Sequence, residues 1–151
     1  MLAQIREFFE QHLNPGAGSE RDPEEALRLA AAALLLEMTR MDQKVLAEEL
    51  AAVTQALRDT FQLSESQVKD LLACAEAERA HSTDYYQFTS LINQFYDAGQ
   101  KATLIELLWR VAYADKSLDK YEEHMVRKIA DLLYVPHGAF IAAKHRAQRV
   151  D

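Results

Sequence analysis

The acidic segment YADKSLDKYEE, in the second half of the chain, contains the residues best suited to bind a cation. Asp115, Asp119 and Glu122 supply carboxylate oxygens, the ligand type that Ca²⁺ and Mg²⁺ prefer in proteins. Their spacing lacks the alternating carboxylates of an EF-hand loop, and the intervening Lys116 and Lys120 would repel a cation. The segment therefore predicts at most a weak Ca²⁺ or Mg²⁺ site, in which the ion keeps much of its water.

The same acidic residues also fit a turn that needs no ligand. Asp119 and Glu122 form a D-x-x-E capping box, whose side chains accept hydrogen bonds from the free amides that start a helix. Glu122 and Glu123 lie in the first turn of this helix, where carboxylates favour the positive end of the helix dipole. Asp115 can accept hydrogen bonds from the backbone of the turn, and Leu118 can reach the core. Capping therefore accounts for most of these acids, and the cation site is the second interpretation.

Other catalytic and metal-binding patterns are missing from the sequence. The five histidines form no H-x-x-x-H or H-E-x-x-H pair, so we expect no zinc site. No Ser/His/Asp or Cys/His arrangement, phosphate-binding loop or dinucleotide fingerprint occurs. We therefore expect a protein without enzyme activity. The rival hypothesis is a cation-dependent hydrolase that uses Asp115 and Glu122 as metal ligands.

The single cysteine, Cys74, lies in the apolar segment LLACAEAE. A cysteine in such a place is most often a small core residue. The alternative is a thiol that reacts with tellurite or oxidants, but no basic residue at helical spacing would lower its pKa, and Glu76 and Glu78 would raise it. One cysteine also excludes an internal disulfide and is typical of a reducing compartment.

Composition and charge limit the class of protein. The chain has 151 residues, 49% of them hydrophobic, which fits one domain with a sizeable core. The formal net charge of −7 argues against nucleic acid and against an anionic membrane surface as partners. The longest apolar run is too short to span a bilayer, and the N-terminus does not resemble a secretory signal. We therefore expect a cytoplasmic protein with no transmembrane segment.

Helix-forming residues dominate and strand-like alternation is absent, so the sequence predicts an all-α fold of seven to eight helices. Capping boxes are predicted at Asp22–Glu25 and Ser64–Gln67, and Gly99 is predicted to end a helix. Residues 1–22 are expected to form an N-terminal helix and loop, and residues 23–148 a helical domain. The predicted helices span about 3–13, 23–41, 46–61, 65–80, 84–98, 100–114, 119–133 and 136–147.

Two side-chain clusters fit either packing or recognition. An aromatic cluster is expected to fill the core, unless Tyr85 or Tyr96 faces outward to form a partner surface or a homodimer. The basic cluster near the C-terminus fits the negative end of the last helix, or an acidic partner. Trp109 is also expected in the core. The aromatic cluster comprises Tyr85, Tyr86, Phe88, Phe95 and Tyr96, and the basic cluster Lys144, His145, Arg146 and Arg149.

The chain partly repeats itself after 73 residues. LLLEMTRMDQKVLAEELAAV, at residues 34–53, aligns with LLWRVAYADKSLDKYEEHMV, at residues 107–126. Asp42 then matches Asp115, and Glu49 matches Glu122. Each copy contains an apolar helix, an acidic corner and a second amphipathic helix. The repeat predicts two similar hairpins related by a pseudo-twofold axis.

This repeat resembles the TerB family, the tellurite-resistance-associated domain, over roughly residues 24–147. Sequences of that family carry an apolar helix ending in A-D-G-x-[IL], then an acidic residue that opens the next helix, in two copies. The second copy here, AYADKSLDKYEEHMVRKIADLL, fits with Lys116 in place of the glycine. In the first copy Gln43 replaces the glycine, and Leu46 stands where a capping residue is usual.

The resemblance implies an all-helical bundle and a stress-response setting, such as resistance to tellurite, other chemical insults and phage. It also implies association of a cation with the acidic corners, for which the candidate ligands are Asp42, Glu49, Asp115, Asp119 and Glu122. We expect a stand-alone, non-catalytic module that recognises a protein partner through these corners.

Overall fold

Seven α-helices account for most of the residues that the structure describes. The computed structural model describes residues 7, 9–10, 23–41, 47–80, 87–114 and 119–149. None of these residues lies in a β-strand, which confirms the all-α prediction. The helices are α1 (Pro23–Met41), α2 (Ala47–Phe61), α3 (Glu65–Ala80), α4 (Gln87–Phe95), α5 (Ala98–Ala114), α6 (Asp119–Leu132) and α7 (His137–Arg149).

Helix α1 forms the centre of the core because its middle is apolar on every side. Residues 29–36 and Met38 are all buried, together with the polar residues Glu37 and Thr39. The alanines at 30–33 allow neighbouring helices to approach closely. Helix α1 contacts α2, α3, α4, α5 and α6. A helix that is hydrophobic all round is expected to be surrounded in this way.

The packing pattern confirms the two related halves. Helix α1 packs against α2 and α3, and in the same way α5 packs against α6 and α7. The two central helices contact each other, and the cross contacts also match: α1 with α6, and α5 with α2. Exchanging α1–α3 with α5–α7 leaves this set of contacts unchanged, as a pseudo-twofold axis requires. Helix α4 lies outside the repeat and packs against α1.

The same C-terminal cap ends the second helix of each half. Gln62 has φ 54° and Tyr134 has φ 59°, in the left-handed region that non-glycine residues rarely adopt. The following amide donates to the carbonyl five residues earlier, over 3.1 Å from Leu63 and 2.9 Å from Val135. This is the Schellman pattern, which is usually made with glycine. The two caps lie 72 residues apart, one fewer than the 73-residue shift, so the same kind of turn leads to the third helix of each half.

Helix α5 begins at a capping box with the sequence D-A-G-Q. The box was not predicted, because a glycine such as Gly99 usually indicates the end of a helix. Asp97 Oδ1 accepts a hydrogen bond from the Gln100 amide at 2.8 Å, and Gln100 Oε1 accepts one from the Asp97 amide at 2.9 Å. Helix α4 ends at Phe95, so the prediction that Gly99 ends this helix is wrong. Gly99 lies in the first turn of α5 because the Asp97–Gln100 pair satisfies amides that start a helix. The predicted Ser64–Gln67 box is confirmed.

The aromatic residues around α4 mainly serve packing. Tyr96 is buried, so the alternative that it faces outward is wrong. Its ring centroid lies 6.2 Å from that of Phe9, and burial raises the pKa of Tyr96 above its usual value. Phe95 is 38% exposed. Tyr85 and Tyr86 lie outside the described residues.

Trp109 joins α5 to α7 and is confirmed as a core residue. It is 1% exposed, and its ring centroid lies 5.7 Å from that of Tyr113 and 5.4 Å from that of Phe140. The Lys144 ammonium lies 5.2 Å from the centre of the same ring. This distance permits a cation–π interaction.

The N-terminal segment reaches the core at Phe9, which is fully buried. Most of residues 1–22 lie outside the described part of the chain, so the division into an N-terminal segment 1–22 and a helical domain 23–148 stays a prediction. Among the described helices, none combines the length and apolar content that crossing a bilayer requires.

Candidate functional site

The two acidic corners occupy equivalent places in the two halves. One corner connects α1 to α2, and the other connects α5 to α6. Asp42 and Asp115 lie in these connections, at 42–46 and 115–118, which are outside the described residues. The convergence of the two carboxylates on one cation therefore stays a prediction.

The other three candidate ligands belong to the helices that follow the corners. Glu49 lies on α2, Asp119 begins α6, and Glu122 lies in the first turn of α6. Helix α6 begins at Asp119, as the sequence predicted. All three side chains lie outside the described part of the structure, so the Asp119–Glu122 capping box stays a prediction. Among the His, Cys, Asp and Glu side chains that are described, no group of three or more is arranged to hold a metal ion.

Glu37, which the sequence patterns did not single out, is a buried carboxylate in the middle of α1. Its side chain is 0% exposed, although its neighbours along the helix are apolar. Oε2 accepts a hydrogen bond from the Phe88 amide at 2.9 Å. Oε1 accepts two longer ones from Thr89, from the amide at 3.4 Å and from the hydroxyl at 3.3 Å. The carboxylate thus binds the first turn of α4.

The surroundings of Glu37 compensate for its burial. A carboxylate without partners would be strongly disfavoured in the core. The amides at the start of α4 have no partner within their own helix, and the positive end of the helix dipole favours a negative charge there. The available sequence signal was one acidic residue inside the apolar run LLLEM. Phe88 and Thr89 lie more than 50 residues away and form no local motif with Glu37.

A charged side chain also occupies the matching position in the second half. The 73-residue shift aligns Glu37 with Arg110 of α5. Arg110 Nη2 donates to Glu106 Oε2 at 2.9 Å, and Arg146 Nε of α7 donates to Glu106 Oε1 at 2.6 Å. Charged contacts therefore connect α1 to α4 in the first half and α5 to α7 in the second.

Cys74 is a core residue with an unreactive environment. The thiol is free and buried on α3. Burial, with a smaller contribution from the nearby Asp70 carboxylate, raises the pKa of the Cys74 thiol to about 11. The sequence had suggested Glu76 and Glu78 for this effect, whereas the contributing carboxylate lies one turn before the cysteine. Because almost all of the thiol is protonated at neutral pH, this environment argues against a redox-reactive role.

Two clefts lie at the matching α2–α3 and α6–α7 turns. The first measures about 370 Å³. Two of the residues that line it are hydrogen-bonded, because Gln67 Nε2 donates to Glu25 Oε1 at 3.0 Å. The second measures about 140 Å³ and combines an arginine, an aspartate and a histidine with an aromatic ring. The first is lined by Glu25, Arg28, Thr60, Phe61, Gln62, Leu63 and Gln67, and the second by Arg127, Ala130, Asp131, Val135, His137 and Phe140.

The family model for TerB, described as tellurite resistance protein TerB, matches residues 28–145. This match covers most of the chain and includes all seven helices in whole or in part. The chain belongs to the TerB family. No curated protein and no solved structure matched the chain.

The region matched to TerB contains both acidic corners, Glu37 and Cys74. It begins within α1 and ends within α7, so it spans both copies of the repeat. Phe9 lies outside it, although its ring is buried in the same core. The corners, Glu37 and Cys74 therefore belong to the TerB domain itself.

The C-terminal basic cluster of this TerB protein is partly used within the fold. Lys144 lies against Trp109, and Arg146 is paired with Glu106. His145 is exposed, and the side chain of Arg149 lies outside the described residues. Packing onto α5 thus accounts for two members of the cluster.

Proposed function

We propose that this TerB family protein is a cytoplasmic, non-catalytic module of a stress response that binds a protein partner through its two acidic corners. The observation that carries the proposal is the duplicated helix–corner–helix unit. Each copy keeps an Asp and a Glu seven residues apart at the same place, although most other aligned positions differ. The corner residues are Asp42, Glu49, Asp115, Asp119 and Glu122.

Further features support a binding role rather than catalysis. They also support a reducing compartment. Neither of the two clefts is lined by a nucleophile with a neighbouring base in the pattern that covalent catalysis uses. The negative net charge disfavours nucleic acid as the partner. The free, buried thiol of Cys74 is typical of a cytoplasmic protein.

Capture of partners tests the role of the corners. The bait is the full chain, carrying Asp42→Asn and Asp115→Asn, in the source cells under tellurite stress. Asparagine caps helices and turns about as well as aspartate, so the change removes charge while preserving the fold. A matched control carries Asp59→Asn and Asp70→Asn, which remove the same charge from α2 and α3. We expect the wild type and the control to recover the same proteins and the corner variant to lose them. Equal recovery by all three would exclude the corners as the recognition surface.

A weakly bound Ca²⁺ or Mg²⁺ would tune this recognition by reducing repulsion among the corner carboxylates. Calorimetry at millimolar Ca²⁺ and Mg²⁺ should give a small heat, and the melting temperature should rise in the wild type and in the control. Both signals should vanish in the corner variant. Absence of both signals from the wild type would exclude the cation and leave the binding role to the capture experiment.

A further inference from the structure

The larger cleft, at the α2–α3 turn, combines the size of a small-molecule site with a polar lining. It measures about 370 Å³, and small-molecule sites usually measure about 300–1,000 Å³. Among its described lining residues, Phe61 and Leu63 are apolar, and the other five are charged or carry a hydroxyl or amide group. Sites for apolar ligands are lined mainly by hydrophobic side chains. The α2–α3 cleft therefore fits a small molecule that is polar.

Two opposite charges line this cleft from the same helix. Glu25 and Arg28 are three residues apart on α1, a spacing that places both side chains on one face of the helix. A carboxylate alone would favour a cation, and a guanidinium alone would favour an anion. The two together are complementary to a molecule that carries both an ammonium group and a carboxylate. The lining therefore favours a zwitterion.

The carboxylate of Glu25 is positioned by hydrogen bonds from the start of α3. The Ser64 amide donates to Gln67 Oε1 at 2.9 Å, and Nε2 of the same side chain donates to Glu25 Oε1 at 3.0 Å. Among the described hydrogen bonds, none uses the second carboxylate oxygen of Glu25, Oε2. This oxygen can accept a charge-assisted hydrogen bond from an ammonium group.

Arg28 can serve a ligand in addition to the contact that it makes within the chain. Its guanidinium has five N–H donors in a planar fork, which matches the two oxygens of a carboxylate. The residue is partly buried where it lines the cleft. Partial burial reduces the screening of its charge by water, so a carboxylate bound there interacts more strongly than it would at an open surface.

Gln62 occupies a strained position in the same cleft. Its φ is 54°, a conformation that glycine adopts freely and glutamine adopts only with strain. The side chain is exposed and lines the cleft, so it adds little to the core. Strained residues are found most often at binding and catalytic sites. The Gln62 amide group is therefore a candidate contact for a polar ligand.

We propose that the α2–α3 cleft binds a free α-amino acid with a polar side chain. Glu25 accepts a hydrogen bond from the ammonium group, Arg28 donates to the carboxylate, and the Gln62 amide contacts the side chain. The cleft lies at the start of α1, whereas the first acidic corner follows the end of α1. This site is therefore separate from the corners and goes beyond the proposed function.

Calorimetry of the full chain with single amino acids tests the proposal. The probes are glutamine, asparagine, serine and threonine. Each is compared with its N-acetyl derivative, which lacks the ammonium group, and with its primary amide, which lacks the carboxylate. We expect saturable heat and a higher melting temperature with at least one of the amino acids. Both derivatives of that amino acid should bind at least about tenfold more weakly, because each loses a charge-assisted hydrogen bond.

Charge-neutral variants assign the binding to this cleft. Glu25→Gln keeps an acceptor for Gln67, and Arg28→Gln keeps an N–H donor, yet each should weaken binding of the amino acid at least about tenfold. Glu25→Gln should not weaken the N-acetyl derivative further, because the group that Glu25 contacts is already missing. The matched control carries Asp131→Asn and Arg127→Gln, which remove the same two charges from the smaller cleft, and should bind as the wild type does.

Two glycine variants separate binding from stability. Gln62→Gly and Tyr134→Gly each relieve a left-handed residue, so both should raise the melting temperature, but only Gln62→Gly should weaken binding. The proposal is wrong if none of the four amino acids gives saturable heat, if the derivatives bind as tightly as the parent, or if Glu25→Gln binds as tightly as the wild type. Equal losses in the control at the smaller cleft would indicate a general effect of charge and would also overturn it.

Discussion

Glu37 holds the start of α4 against α1 by accepting hydrogen bonds from Phe88 and Thr89. Helix α4 has nine residues, which is too short for an isolated helix to be stable in water. Its position therefore depends on apolar burial and on this carboxylate. Helix α4 lies outside the repeat and has no counterpart in the second half. The contact between Glu37 and α4 is therefore specific to the first half.

Removal of the Glu37 carboxylate should destabilise the protein. Glu37→Leu should lower the free energy of unfolding by about 3 kcal/mol, because buried amides of α4 lose their acceptor. Glu37→Gln, which keeps one acceptor oxygen, should cost about 1–2 kcal/mol. Urea unfolding followed by circular dichroism measures both. Glu48→Gln, at an exposed position of α2, serves as the control and should change stability by less than about 0.5 kcal/mol. A Glu37→Leu protein as stable as the wild type would show that apolar packing replaces these hydrogen bonds.

Alkaline pH should destabilise the protein through Cys74. The pKa of this thiol is about 11 in the folded chain, against an ordinary value of 9.0. Between these values the unfolded chain releases a proton that the folded chain retains, so the free energy of unfolding falls as pH rises. The expected loss is about 1–2 kcal/mol by pH 11, allowing for partial solvent screening.

The Cys74→Ala variant isolates this contribution. Its stability should fall less steeply between pH 9 and pH 11 than that of the wild type, as measured by urea unfolding at each pH. Tyr96 gives both proteins a further decline above its ordinary value of 10.0, because burial raises its pKa as well. Equal slopes for the two proteins would contradict the assignment to Cys74.

At the scale of helices, the strained caps at Gln62 and Tyr134 should be improvable. Glycine at either position removes the left-handed strain of a side chain, which costs about 1–2 kcal/mol, but it increases the entropy of the unfolded chain. Each substitution should therefore raise the free energy of unfolding by about 0.5–1 kcal/mol in thermal or urea unfolding. Lys69→Gly, at an exposed position of α3, should instead lower it by about 1 kcal/mol. A loss of stability in the two cap variants would show that their side chains contribute to the fold.

The capping box of α5 provides a second test at this scale. Asp97→Ala should lower the free energy of unfolding by about 1 kcal/mol, because the Gln100 amide loses its acceptor. Asp97→Asn keeps a side-chain oxygen in the same place and should cost a few tenths of a kcal/mol at most. Urea unfolding of the two variants separates the hydrogen bond from the charge. If both variants lose equal stability, the interaction with the helix dipole matters more than the cap.

Local signals in the sequence predicted most helices because caps and apolar periodicity act within a few residues. The predicted limits of α2 and α3, 46–61 and 65–80, agree with Ala47–Phe61 and Glu65–Ala80 to within one residue. Gly99 misled the prediction because a glycine near a helix end is usually a C-terminal stop. Here Asp97 and Gln100 start a helix across it.

Some features of the candidate sites follow from local sequence, and others depend on tertiary packing. The start of α6 at Asp119 was predicted correctly from local sequence, whereas the capping box at Asp119 and Glu122 stays a prediction. The contacts of Glu37 and the cleft at the α6–α7 turn depend on residues that tertiary packing brings together, such as Arg127 beside Phe140. Local sequence patterns do not identify the partners in such contacts, because the partners lie far apart along the chain. Whether the two corners converge belongs to this second class, and it stays a prediction.

At the scale of the whole molecule, each half packs against the other through its central helix. The central helix of each half packs against the second helix of the other, α1 with α6 and α5 with α2. Residues from both halves fill one core, including Val53 of α2 and Val126 of α6. Neither half can bury its central helix by itself. The repeat therefore predicts one cooperative unit, although its sequence consists of two similar parts.

Unfolding of the two halves should consequently coincide. Trp109 reports on the second half through its fluorescence, and Cys74 reports on the first half through its accessibility to a thiol reagent; both are buried in the folded chain. We expect the same urea midpoint from both probes, because a domain of this size with a shared core unfolds in one step. Glu37→Leu should lower the two midpoints equally, although it changes the first half. Labelling of Cys74 at lower urea than the change in Trp109 fluorescence would show that the first half opens independently, and that the cross contacts do not couple the two halves.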